Sequence, residues 1–128
     1  MIKYLLSALG FIIASAFFVS TSLAGTTTFV CDYKTYSDPE GTHRVNDPFV
    51  LTFLIDTQAE KSYMVGNNGS SEVKLFANDD GFTLVEITEA GNVMVTAITY
   101  KGKSVHSRST MMVGDIVPSQ YYGSCVKK

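Results

Sequence analysis

The sequence predicts an all-β protein, a small antiparallel meander barrel of about eight strands, with a two-sheet sandwich as the rival arrangement. Three observations carry that expectation. Gly81 to Thr110 reads as three strand-like runs separated by two short glycine turns; alternating apolar and polar runs bounded by turn residues precede it; and no helical periodicity runs through the chain after residue 24. Short turns make neighbouring strands antiparallel, and closure removes the exposed edges that a flat sheet would leave.

At the N-terminus, Lys3 precedes an apolar run from Leu5 to Val19, which ends in Ser20-Thr21-Ser22-Leu23-Ala24. This is the layout of a secretory signal peptide covering 1–24, with cleavage expected between Ala24 and Gly25. The apolar run, about 15 residues, is shorter than the roughly 20 that span a bilayer, so no membrane span is expected after cleavage. Leu23-Ala24-Gly25 is similar to a lipoprotein cleavage box, but Thr26 stands where the lipid-bearing cysteine would be. Residues 25–128 then read as one small β-barrel domain. They hold nine basic residues against twelve acidic ones, a formal charge of −3. That balance points to neither a nucleic-acid footprint nor a membrane-surface patch.

Cys31 and Cys125 are the only cysteines. In an exported chain such a pair reads as one disulfide, which would tie the first strand to the last. A reactive thiol or a metal site is the weaker alternative, because there is no CxxC spacing and only His43 and His106 are available to assist. No metal and no cofactor are expected.

Taken in order, the first strand is expected near 29–36, with Phe29, Cys31 and Tyr33 on one face. Residues 37–48 gather Asp38-Pro39-Glu40-Gly41 and Asn46-Asp47-Pro48, two turn signals, and read as a long polar loop. The second strand, near 49–56, alternates with Phe49, Leu51, Phe53 and Ile55 inward, a pattern that fixes register firmly. Short strands follow near 61–65 and 72–76, joined by Gly66-Asn67-Asn68-Gly69-Ser70. After Asn78-Asp79-Asp80-Gly81 come the three meander strands, near 82–88, 92–100 and 104–112, and a last strand near 120–126.

The most chemically loaded cluster is His106 and Arg108, two apart and therefore on one face of a strand. Such a pair suits an anion or carboxylate, since arginine offers a planar fork of donors and histidine adds charge near neutral pH. The plainer expectation is a solvated outer face with a cross-strand ion pair to Glu86 or Glu89. Ser107 faces away from His106, so the two do not form a catalytic pair. Tyr121 and Tyr122, beside Cys125, are the second candidate, as an aromatic contact surface; the plainer expectation places one in the core and the other over the barrel end. Gly66 to Ser71 matches no phosphate-binding loop, and Asn68-Gly69-Ser70 fits a glycosylation acceptor only formally. No carboxylate pair specifies a glycosidase or a metal site, so catalysis has no support in the sequence.

The runs Met64-Val65-Gly66-Asn67-Asn68-Gly69-Ser70-Ser71-Glu72-Val73 and Val117-Pro118-Ser119-Gln120-Tyr121-Tyr122-Gly123-Ser124-Cys125 resemble those of small exported bacterial β-proteins, which implies a periplasmic or secreted location but no activity. Phe29-Val30-Cys31-Asp32 resembles the opening of the periplasmic inhibitors of C-type lysozyme. That resemblance implies a small eight-stranded barrel with an early disulfide cysteine. Their inhibitory loop carries a serine, a glycine and a basic residue before a tyrosine, whereas Ser70-Ser71-Glu72-Val73 has an acid where the base belongs. The expected function is an exported, non-catalytic module that binds a protein or small molecule. An enzyme or carrier using His106 and Arg108, and a structural component of the envelope, are the alternatives.

Overall fold

A computed structural model describes residues 25–128; the expected signal peptide, with Ala24 on one side of its cleavage site, lies outside the described residues. Eight antiparallel strands close into a barrel in sequence order. They are β1 (Thr26–Asp38), β2 (Gly41–Asp56), β3 (Lys61–Gly66), β4 (Gly69–Ala77), β5 (Gly81–Ile87), β6 (Val93–Thr99), β7 (Lys103–Met112) and β8 (Asp115–Lys127). The sandwich alternative is thereby set aside. β1 pairs with both β2 and β8, so the first and last strands complete the ring.

Each turn uses local chemistry. Asp56 Oδ1 accepts from the N–H groups of Gln58 and Ala59, and Asn78 Oδ1 accepts from those of Asp80 and Gly81. These Asx contacts satisfy donors that the strands leave behind. Between β7 and β8, Val113 and Gly114 both have positive φ, 47° and 76°, the geometry of a two-residue hairpin whose twist matches its strands.

Two elements differ from the sequence reading. Residues 37–48 are not a long loop: β1 and β2 turn at Pro39-Glu40, and Asp38 Oδ1 accepts from the Glu40 N–H at 2.9 Å. The second turn signal becomes a bulge. Tyr33 pairs with Phe49 and Thr35 with Arg44, so Lys34 on β1 faces the four residues 45–48 on β2. β8 also starts earlier than expected, at Asp115, and contains Pro118. Its pairing with β1 begins only at Gln120, so residues 115–119 bond to β7 alone, and an edge of this kind tolerates a residue without an N–H.

The wall is uneven in height. β1, β2, β7 and β8 are adjacent and hold 10 to 16 residues, whereas β3 to β6 hold 6 to 9. Calling the end with Thr26 and Asp56 the lower one, the tall wall rises above the short strands at the upper end and leaves part of its inner face open. Its highest point is the β7–β8 hairpin, where Met111, Met112, Val113, Ile116 and Val117 are exposed.

The lower and middle interior is filled. Cys31, Leu51, Phe53, Val73, Phe82, Leu84, Ile98 and Cys125 are buried together, with Phe29 and Ile55 packed against them. The alternation read from residues 49–56 is what places Leu51 and Phe53 there. Cys31 and Cys125 are register partners on β1 and β8 and form the disulfide, which crosses the ring's closing seam and is compatible with an oxidising compartment. At the same seam, Gly123 lies so close to β1 that an added Cβ would sit 2.8 Å from the Tyr33 Cα and still closer to the Asp32 carbonyl oxygen. Glycine alone allows that approach.

Candidate functional site

The pleat that turns Phe82, Leu84 and Ile98 inward also turns Glu86, Thr96, Ser104 and His106 inward. His106 and Arg108 therefore do not sit on a solvated outer face, as the sequence had led us to expect. His106 is only 1% exposed, and Arg108 is half-buried one pleat above it. The outward positions of β7 belong to Val105, Ser107 and Ser109. The polar side of the β7 pattern is thus the interior side, because the upper interior of this barrel is itself polar and aromatic.

Tyr33, Ser104, Thr96 and His106, inward polar groups below the mouth, are partnered in pairs. The Tyr33 hydroxyl shares a 2.9 Å hydrogen bond with Ser104 Oγ, and burial, only partly opposed by that bond, pushes its pKa up to about 12. His106 Nδ1 shares a 2.7 Å hydrogen bond with Thr96 Oγ1 across the β6–β7 pair. Burial first, and the nearby Arg108 charge second, lower the His106 pKa from 6.5 to about 4, so the imidazole is neutral at neutral pH.

Around these groups stands an aromatic wall. Phe49, Tyr33, His106 and Tyr121 lie with ring centroids 4.6 to 6.3 Å apart, and Tyr121 stacks on Tyr36 at 5.2 Å. The Arg108 guanidinium lies over the Tyr121 ring at 4.6 Å and near the Phe49 ring at 5.5 Å, a cation–π arrangement. Its Nε donates to Ser119 Oγ at 3.3 Å and its Nη2 donates to the Tyr121 hydroxyl. Nη1 has no partner among the described residues. Arg108 is therefore fixed in plane and orientation, with donors to spare.

Farther along the rim, Tyr36 meets the His43 ring at a tilt, with centroids 4.9 Å apart, and His43 Nε2 lies 2.9 Å from Asp38 Oδ1. That hydrogen bond is the main reason the Asp38 carboxyl is held below the usual range.

The two tyrosines expected to act together are separated. Tyr121 faces inward and joins the aromatic wall, while Tyr122 is 38% exposed on the outer face and donates to Gln120 Oε1 at 3.1 Å. A joint Tyr121/Tyr122 surface is not formed, because neighbours on a strand point to opposite sides.

Glu86 is the member of the site that sequence reading placed only as a possible surface partner. It is 9% exposed and accepts from Ser71 Oγ at 2.8 Å through Oε1, while its Oε2 is buried with no hydrogen-bond partner among the described residues. A buried acceptor left unmade costs on the order of 1–3 kcal/mol, and more when charged. Register explains its position: Glu86 pairs with Met94, and Met94 with Arg108, which sets carboxylate and guanidinium at one level with a methionine between them. Neither takes part in an ion pair among the described residues. The signal in the sequence was the parity of Glu86 with Phe82 and Leu84, two inward residues on the same strand.

A cavity of about 410 Å³ opens here, between the tall wall and the β3–β4 turn; Phe49, Met64, Glu86, Met94, His106 and Arg108 are among its lining residues. A second cavity, about 560 Å³, opens at the lower end beside Phe29, Phe82 and Tyr100. Its charged members are Lys101 and Lys127, both exposed, and it contains no buried charge. Gly25, the residue after the expected cleavage point, lies at that lower end, with its carbonyl accepting from Thr57 Oγ1 at 3.1 Å. No cluster of three potential metal ligands occurs among the described residues.

No protein-family model, curated protein or solved structure matches this chain.

Proposed function

We propose that the protein is an exported, non-catalytic binding module, periplasmic or secreted, whose ligand sits in the upper mouth of the barrel. The observation that carries this reading is the coexistence in one cavity of the unpartnered Glu86 carboxylate oxygen and the aromatic-stacked Arg108 guanidinium. Folding alone gains nothing from leaving that oxygen without a donor, whereas a binding site does. The filled middle of the barrel favours recognition at the mouth over enclosure of a cargo. A binding role also suits His106 better than a catalytic one: its Nδ1 is occupied by Thr96, and burial keeps it neutral. Export rests on the leader-like segment 1–24 together with the Cys31–Cys125 bond.

An amide-detected NMR screen of a small-molecule fragment library against the oxidised protein tests this reading. Shifts centred on Phe49, Ser71, Glu86 and Arg108 are expected. Hits confined to the lower cavity or the outer wall would overturn it.

The second reading is inhibition of a C-type lysozyme. It is supported by the eight-stranded barrel and by the early disulfide cysteine in Phe29-Val30-Cys31-Asp32. Residues 70–73, which lack the expected base, lie in β4. Undiminished lysozyme activity in the presence of excess protein would dismiss that reading.

A further inference from the structure

The geometry points to a small zwitterion of the α-amino-acid type, with an apolar side chain, as the ligand of the upper mouth; this deepens the binding reading above and rests on it. Three features of the cavity define that chemistry. Glu86 supplies a carboxylate with one oxygen free to accept, and its burial makes a charged N–H donor the fitting partner. Arg108 supplies a guanidinium that Ser119 and Tyr121 hold in place, with Nη1 free to donate to a carboxylate. Between them stands Met94, which with Phe49, Leu51 and Met64 forms an apolar side of the cavity, while Asn67, Asn68, Ser70 and Ser71 of the β3–β4 turn form a polar one.

The spacing of the charges matters as much as their identity. Glu86 and Arg108 are on β5 and β7, two strands apart, at register positions joined through Met94. Adjacent strands lie about 4.8 Å apart, so the two backbones are separated by roughly 10 Å and the side chains reach inward from opposite flanks of Met94. They do not pair with each other. A ligand carrying only an anion would leave the Glu86 carboxylate unpaired and repelled, and one carrying only a cation would meet the same difficulty at Arg108. A molecule with ammonium and carboxylate a few bonds apart satisfies both, while its side chain lies against the methionines, which adapt to varied apolar shapes.

The test uses three matched probes on the oxidised protein: L-leucine, 3-methylbutylamine, which lacks only the carboxylate, and 4-methylpentanoate, which lacks only the ammonium. Titrations are followed by amide NMR. L-leucine is expected to shift Ser71, Glu86, Met94 and Arg108 saturably, with each single-charge analogue at least about tenfold weaker, the scale of one lost charge-assisted bond. Glu86→Gln and Arg108→Gln should each bring L-leucine down to the level of the matching analogue, with the amide spectrum of the rest of the barrel unchanged. If an analogue binds the mouth as tightly as L-leucine, the zwitterion inference falls while the mouth remains the binding site. If L-leucine and both analogues leave the mouth residues unmoved while other fragments shift them, the ligand class alone is wrong. If no compound of any class moves them, the binding reading falls as well.

Discussion

The lower and upper halves of this barrel are lined by the same strands in the same pleat, yet they enclose opposite chemistry. Below, Phe29, Phe53, Phe82 and Ile98 meet around the Cys31–Cys125 bond, and apolar contact holds the interior together. Above, successive inward positions on the same strands hold Tyr33, Glu86, Thr96, His106 and Arg108, and the interior depends on specific hydrogen bonds. An inward position is therefore a geometric property and not a chemical one. A polar interior is stable where its groups have partners, and the Glu86 oxygen that lacks one among the described residues is the group that the proposed ligand would satisfy.

The comparison is sharpened first at its lower end. Replacing both cysteines by alanine opens a cross-link spanning 94 residues, and denaturant unfolding should show a loss of about 4 kcal/mol. Phe53→Ala, at a fully buried site, should cost about 3–4 kcal/mol by the same measurement, through lost burial and the cavity left behind.

The upper half should respond to pH where the lower half does not. The unfolded chain takes up a proton on His106 near 6.5 and the native state only near about 4, so stability is intact above 6.5 and falls as pH drops through that window. The loss should reach about 3 kcal/mol at its acid end, and His106→Gln should abolish that part of the slope. A barrel whose acid sensitivity is unchanged in His106→Gln would show that the imidazole is hydrated in solution. A smaller effect is expected of Thr96→Val, which preserves shape but strips His106 Nδ1 of its partner; a loss of about 1–2 kcal/mol at pH 7 is anticipated in thermal or denaturant unfolding.

The lower half was legible in the sequence because apolar alternation is its own signature. Leu51, Phe53 and Ile55 announced their face, and the paired cysteines announced the closing seam. The upper half was misread for a physical reason: His106 and Arg108 look like solvated residues unless the partners that make burial tolerable are known, and Thr96, Tyr121 and Ser119 come from strands up to 13 residues away. Glu86 was visible as an acid on a strand but not as an inward one, although Phe82 and Leu84 shared its parity. Asn46-Asp47-Pro48 was recognised as a break, but a break can be absorbed as a bulge when β1 continues alongside it. Tyr121 and Tyr122 could be separated by parity alone, whereas the stacking of Tyr121 with Arg108 required the fold.

The most direct test of the account is the unfolding free energy of Glu86→Met beside that of the unaltered protein at pH 7. If Glu86 is kept for a ligand rather than for the fold, exchanging its buried, half-satisfied carboxylate for an apolar chain of similar length should leave stability unchanged or raise it by up to about 1 kcal/mol, while L-leucine binds the mouth at least about tenfold more weakly. A loss of stability comparable to that of Phe53→Ala would contradict the account, because Glu86 would then be holding the barrel together.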